Sequence, residues 1–380
     1  MATITTRSTR AVNNLLIPVS IALYAVGLVA VYDAGYAHAL DRSPGGNAAL
    51  WMVLKQTAYG LVGLSAMVAM AKMGYWRLRK AAFPLLVISM LLLMMVWVPH
   101  VGIQRNGAHR WIGWGLVQVQ PSELAKLSLI IYLAAYLTQP SVNVRKGRWA
   151  LGIPLAAMAI VVGLVEREPD FGTAFVIFLS SMAVFYMGGA RVRHLMAVAA
   201  AFAVLAGCSL ALGHGFRQHR LRTFFSAQKD TQGAGYQVFR GLLAVGSGMV
   251  SGVGFGAGRE KFYLPEASTD YVFATIAEET GLLGSLALVF LLLALVYSGM
   301  KAALRIHDPF GALLGAGITT MLSAQALINL GVVTGSLPAT GVPLPFISSG
   351  GSSLVFGFAG IGIVLSIAAS ASASGGSAGR

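Results

Sequence analysis

The sequence predicts an all-α polytopic membrane protein with about ten transmembrane helices, both termini cytoplasmic and one long outer loop before the eighth helix. Three observations carry that prediction. Hydrophobic residues make up 56% of the 380-residue chain and charged residues only 11%, against about 25% charged in a soluble domain. Apolar runs near twenty residues recur along the whole length, enough for a helix to cross a bilayer and about twice the length of a barrel strand. Lys and Arg gather in alternate short loops, as the positive-inside rule requires of cytoplasmic segments.

The first run, Asn14–Asp33, exceeds the roughly 7–15 residue core of a signal peptide and has no clear small-x-small cleavage site, so it reads as a retained span. Trp51–Ala71, Ala81–Val98, Gln120–Thr138 and Leu151–Val165 follow, then Gly172–Gly189 and His194–Gly213. Tyr271–Met300 is too long for one straight span. Its first turns, up to about Gly281, read as a cavity wall, because Glu278 and Glu279 would be costly in hydrocarbon. Pro309–Val332 and Ser352–Ser370 complete the set. Residues 14–370 thus form one membrane domain with an outer loop at about 214–270, between a tail at 1–13 and a small, polar, flexible tail at 371–380.

Arg7, Arg10, Lys72, Arg77, Arg79, Lys80, Arg145, Lys146, Arg148, Arg191, Arg193, Lys301 and Arg305 fall on the side of the termini, which makes that side cytoplasmic. Much of the net charge of +14 is therefore a topology signal. No basic, aromatic-interleaved soluble module is present to bind nucleic acid. Lone Cys208 excludes an internal disulfide and a cysteine metal cluster. Histidines lack ligand spacing and no P-loop occurs, which disfavours an ATP-driven pump.

Four polar segments are left for the outer face. In Asn106–Lys126, Trp111 and Trp114 suit the membrane interface, and Arg110 between them can bind a lipid phosphate or simply snorkel. Glu123 and Lys126 share a helix face and can pair, either as a structural ion pair or to hold a cavity open. In Val165–Phe175, Glu166, Glu168 and Asp170 resemble a cation site, yet Pro169 and Gly172 mark a turn and the acids suit the start of the next helix. Helix capping is the stronger account of that group.

The long loop carries Arg217, Arg220, Arg259 and Lys261 together with glycines at 246, 248, 252, 254, 256 and 258. Exposed glycine N–H groups beside cations suit an anionic ligand such as phosphate. Tyr236–Val250 within it is mildly amphipathic and suits the membrane surface. Asp270 closes the loop where the chain re-enters the membrane, positioned either to cap the following helix or to act chemically. Glu266 stands four residues earlier, while Glu278 lies about 80° around an ideal helix from Asp270, closer in angle than Glu279. The fourth segment, Gly335–Ser353, is stiffened by Pro338, Pro343 and Pro345 and bends at Gly350 and Gly351 after Ser348. Irregular backbone at membrane depth must line a covered or wet cavity, so this loop is expected beside Asp270.

NGAHRWIGWG, QPSELAKL, EPDFGTAF, GAGYQ, YLPEASTDYVFATIAEETGLLG and GSLPATGVPLPFISSGGSS, in this order over nearly the whole chain, resemble the signature segments of the SEDS family (shape, elongation, division and sporulation). The DTQGAGYQ and YLPEASTD wording looks closer to its FtsW/SpoVE branch than to RodA. His109, Ser268 and Ser349 depart from the arginine, histidine and tyrosine frequent at those places. The resemblance implies a ten-span inner-membrane peptidoglycan glycosyltransferase that polymerises lipid II onto a nascent glycan strand, beside a class B penicillin-binding protein. It places the essential acid on Asp270 and the outer-loop arginine on Arg110.

That chemistry suits the residues. A sugar hydroxyl attacking an anomeric carbon needs one general base, here Asp270. A lipid diphosphate leaves without a protonated second carboxyl, but needs positive charge. Arg110 with some of Arg217, Arg220, Arg259 and Lys261, or a divalent cation such as magnesium or manganese, would provide it. Glu123, Lys126, Glu266, Glu278, Ser348 and Gly350 are the expected supporting residues of the cavity. A lipid II flippase or a non-catalytic scaffold for the penicillin-binding protein are the competing readings, since ten spans with buried ionisable residues suit transport as well.

Overall fold

The computed structural model describes residues 2–42, 47–105, 108–114, 117–142, 150–212 and 235–377. An apolar helix stands at each of the ten runs: α1 (Ala2–Arg42), α2 (Asn47–Met73), α3 (Trp76–Met95), α4 (Pro121–Leu137), α5 (Gly152–Arg167), α6 (Phe171–Met187), α7 (Val192–Leu212), α9 (Val272–Arg305), α10 (Pro309–Val333) and α11 (Gly351–Ser377). Seven of them are long and apolar enough to cross a membrane by length and composition, while α4, α5 and α6 are shorter. Helix α8 (Tyr236–Ser247) lies within the long loop and buries Val238, Gly241 and Ala244 against the bundle.

Two expectations need correction. The fold is not wholly helical: β1 (Gly102–Arg105), β2 (Ala108–Trp114) and β3 (Val117–Val119) form an antiparallel sheet in that order. Gly102 pairs with Ile112 and Ile112 with Val119, so short polar hairpins satisfy backbone groups that a loop would leave open. The second is one of extent, the terminal helices running past their apolar stretches, α1 starting at Ala2 and α11 reaching Ser377.

Helix α10 is well enclosed, packing on α4, α6, α9 and α11, whereas α7 touches little besides α6 and keeps its apolar window exposed. At one end Tyr75 N–H donates to Ser366 Oγ at 3.0 Å, and Arg79 donates to the Thr138 carbonyl at 3.1 Å. The sheet, the 166–170 turn, the 248–270 loop and the 335–350 loop gather at the other end.

Helix α9 breaks at Gly281, whose φ of 66° and ψ of −161° only glycine adopts without strain. Before the break Val272–Glu279 is mostly buried; after it Leu282, Leu283, Leu286, Phe290 and Leu293 are exposed. The freed backbone is not left open. Leu282 and Leu283 N–H donate to the Met249 and Val250 carbonyls at 2.9 and 3.2 Å, and Val253 and Gly254 N–H donate to the Glu278 and Glu279 carbonyls at 3.0 and 3.1 Å. A side chain on Gly252 would fall on the Glu279 carbonyl, so the glycines there serve close backbone approach.

Candidate functional site

A cavity of about 290 Å³ opens at the loop-bearing end, lined by Lys55 and Tyr59 of α2, Arg110 and Trp111 of β2, Glu266 and Asp270 of the long loop, and Gly341 and Gly350 of the loop before α11. The segments brought together are those the sequence singled out, joined by α2. Helix α9 starts at Val272 with Tyr271 in the cap position and no side-chain cap. Asp270 therefore lies outside the helix, on the cavity wall.

Three successive carbonyls hold the backbone at this acid. The Ser268 carbonyl accepts from Ser349 N–H at 2.8 Å, that of Thr269 from Ser348 Oγ at 2.6 Å, and that of Asp270 from Asn329 Nδ2 at 2.8 Å. Ser348 is buried behind the wall, also accepting from Leu344 N–H at 2.8 Å, and Gln56 Nε2 donates to the Ser348 carbonyl at 3.1 Å. Opposite Asp270, Arg110 Nε donates to the Glu168 carbonyl at 3.0 Å and its Nη2 to that of Pro169. Between them runs Gly341, with φ of 76°; a Cβ built there would stand 3.3 Å from Asp270 Oδ2 and 3.9 Å from Arg110 Nη1. Acid and guanidinium thus face one another across a glycine.

The 166–170 acids part ways. Asp170 caps α6, accepting from Thr173 N–H at 3.1 Å, and its other oxygen accepts from Gln120 Nε2 at 3.2 Å. Glu166 accepts from Ser209 Oγ at 2.7 Å, away from the cavity. Glu168 is fully buried, and burial, then repulsion from Asp170, outweigh attraction to Arg110 and push its carboxyl up to about 9. It is a neutral acid beside the arginine.

Glu123 and Lys126 do pair, Nζ to Oε1 at 2.8 Å, and Lys126 also donates to Gln325 Oε1 at 3.1 Å. Gln325 Nε2 passes the chain of contacts on to the Pro343 carbonyl and Ser353 Oγ, both at 3.1 Å. The pair therefore supports the cavity loop from below and does not line it.

Lys261 and Glu278 correct the expectation. Lys261 is 2% exposed and bonds Asp33 of α1, with Glu279 Oε1 at 2.7 Å, so it is committed inside the protein and offers nothing to a diphosphate. Burial disfavours its charge, but hydrogen bonds and charge from Asp33 and Glu279 prevail and hold the ammonium above its ordinary range. Glu278 accepts from Arg259 and Glu260 N–H at 2.8 and 3.2 Å, and Glu279 from Gly258 N–H at 3.3 Å. The glycine-rich loop does bind anions, but they are the chain's own glutamates. Glu278 thus faces that loop, away from Asp270.

Arg259 is exposed and outside the cavity lining, and Arg217 and Arg220 lie outside the described residues. Glu266 lines the cavity in a turn, its Oε2 accepting from Thr269 Oγ1 at 2.9 Å. Among the described residues, the cations lining the cavity are Arg110 and Lys55. Lys55, Gln325 and Asn329 were not singled out for the site, although a polar residue inside an apolar run is the signal that marks each.

No three His, Cys, Asp or Glu side chains converge on a metal position among the described residues. Among the described residues, two carboxylates line the cavity, Asp270 and Glu266. One or two carboxylates completed by substrate phosphates is a fitting donor set for magnesium.

Residues 13–373 match the FtsW/RodA/SpoVE family, described as cell cycle proteins. The chain is 35% identical over 362 residues to stage V sporulation protein E of Bacillus subtilis (strain 168), covering 93% of this chain and 96% of that protein. It is 38% identical over 356 residues to the probable peptidoglycan glycosyltransferase FtsW of Hahella chejuensis (strain KCTC 2396), covering 93% and 89%. Among solved structures, the rod shape determining protein RodA of Thermus thermophilus is similar at a TM-score of 0.69 with 29% identity, covering 93% of this chain and 95% of that one. A chain from a peptidoglycan synthase complex that coordinates polymerization and crosslinking reaches 0.77 with 28% identity, covering 94% and 97%.

Proposed function

The chain belongs to the FtsW/RodA/SpoVE family and is a peptidoglycan glycosyltransferase of the inner membrane, and we propose that it polymerises lipid II in the cavity between Arg110 and Asp270, on the outer face. The observation that carries this reading is the acid and the guanidinium facing one another across Gly341. Ten apolar helices, with Arg79 beside Thr138 at the end away from the cavity, support ten spans, cytoplasmic termini and an outward-facing cavity.

In the proposed step the acceptor sugar's 4-hydroxyl oxygen forms a bond to the anomeric carbon of the growing strand. The bond from that carbon to the lipid diphosphate breaks, and direct displacement inverts the centre. Asp270 takes the hydroxyl proton and releases it to water. Arg110, with two donors already on carbonyls, keeps its Nη1 edge toward the cavity, and Lys55 stands among the lining residues as a second cation. Together they stabilise charge developing on the departing diphosphate. A divalent cation held by Glu266 and those phosphates would supply further charge neutralisation. The partner fitting this role is a class B penicillin-binding protein that crosslinks the product strand.

Purified full-length protein given lipid II, alone and with that partner, should build glycan strands, and Asp270→Asn should abolish them with folding intact. Polymer from the Asn variant at the parent rate would sink the base assignment. Lipid transfer across vesicles without polymer would favour a flippase.

A further inference from the structure

Asn329 sits near the C-terminal end of apolar helix α10, 1% exposed, with its Nδ2 donating to two carbonyls at once: Asp270 at 2.8 Å and Val342 at 2.8 Å. The first belongs to the proposed base, the second to the residue after Gly341. One side chain therefore joins the two strands of chain that form the acid's side of the cavity. We infer that Asn329 is a positioning residue for Asp270, fixing the distance between that acid and the Gly341 turn so that the carboxylate stays aimed at the position of the acceptor hydroxyl.

The amide is suited to this by its two hydrogens. A rotated amide, or an ionised carboxylate, would set an oxygen against two carbonyl oxygens, so the observed orientation is fixed by its acceptors. Its Oδ1 is buried with no hydrogen-bond partner among the described residues, a cost tolerated because the nitrogen side is doubly used. One turn earlier on the same face, Gln325 repeats the arrangement on the Pro343 carbonyl and Ser353. Two amides four residues apart thus hold the loop at consecutive carbonyls from a well-packed helix. A base must stand within hydrogen-bond reach of its proton, and displacement by about 1 Å can cost about a hundredfold in rate.

The inference rests on Asp270 being the base, and its test separates the two. Full-length Asn329→Leu, Asn329→Asp and control Ser323→Ala proteins are compared with the parent for polymerisation rate, lipid II KM, the acidic limb of the pH–rate profile, and hydrogen exchange of the segments around 270 and 342. For both Asn329 variants the expected result is a kcat loss of about tenfold to a hundredfold. KM should stay within about twofold, because uniform binding is untouched. The acidic limb should shift and exchange in both segments should rise, while Ser323→Ala matches the parent. A purely structural role would lower the rate in proportion to folded protein and leave the limb where it was. That outcome, or unchanged exchange, overturns the inference. Failure of the base assignment shows separately, as polymer made by Asp270→Asn.

Discussion

Arg110 reaches past the carboxyl of Glu168 to bond its main-chain oxygen, Nε to O at 3.0 Å, while both carboxyl oxygens are buried without a hydrogen-bond partner among the described residues. The arginine is held by geometry and its charge is left for the cavity. A lysine there has one ammonium and cannot serve the carbonyls of Glu168 and Pro169 while keeping an edge toward the ligand. Arg110→Lys should lower polymerisation by about tenfold to a hundredfold, the worth of one or two charge-assisted hydrogen bonds. Initial rates against lipid II concentration would measure it.

Glu168 gives stability a pH dependence of defined sign. Its carboxyl holds a proton up to about 9 in the fold, against an ordinary value of 4.5. Between those values the native state binds more protons than the unfolded chain, so this group's contribution is full below the unfolded value and is lost as pH rises through the folded one. Thermal unfolding of the parent should weaken from pH 5 towards 9. Glu168→Gln, a neutral near-isostere, should flatten that decline.

Gly341→Ala should injure the site from within. Its φ of 76° is strained for alanine, and the new methyl would stand 3.3 Å from Asp270 Oδ2. Strain of about 1–3 kcal/mol would fall on the loop that separates acid from guanidinium. Glycan synthesis should drop by more than any loss of folded protein accounts for, as read from product length and yield per folded molecule.

Lys261 should behave as a structural residue. Lys261→Met leaves Asp33 and Glu279 buried beside one another, and removing one partner of a buried pair costs about 3–5 kcal/mol. The unfolding temperature should fall sharply, whereas KM for lipid II on the surviving protein stays near the parent value. A KM effect without loss of stability would return Lys261 to the diphosphate.

The helical frame and the loops of the site were legible in sequence because both are local signals. Apolar runs set the ten helices, and the expense of Glu278 and Glu279 in hydrocarbon already pointed to a change of character near Gly281. What stayed hidden depends on distant partners. Lys261 reads as a free cation until Asp33, far away on α1, is seen beside it. Glu278 has the right helical angle towards Asp270, yet helical angle means nothing across the turn that precedes Val272. Asn329 and Gln325 carried a signal in the sequence itself, two amides four residues apart inside an apolar helix. The sheet around Arg110 was missed because its strands are too short to show a clear two-residue alternation.

The break in α9 divides the helix into a part that needs no partner and a part that does. The stretch from Leu282 to Arg305 is roughly 36 Å long at about 1.5 Å per residue, so it can enter the bilayer as an autonomous span. Residues 272–280 cannot follow the same route. The amides of Leu282 and Leu283 and the carbonyls of Glu278 and Glu279 take their partners from Met249–Gly254. The hydrocarbon part of α9 is thus self-sufficient as a helix, whereas the cavity end holds its backbone only through a partner segment from the preceding loop.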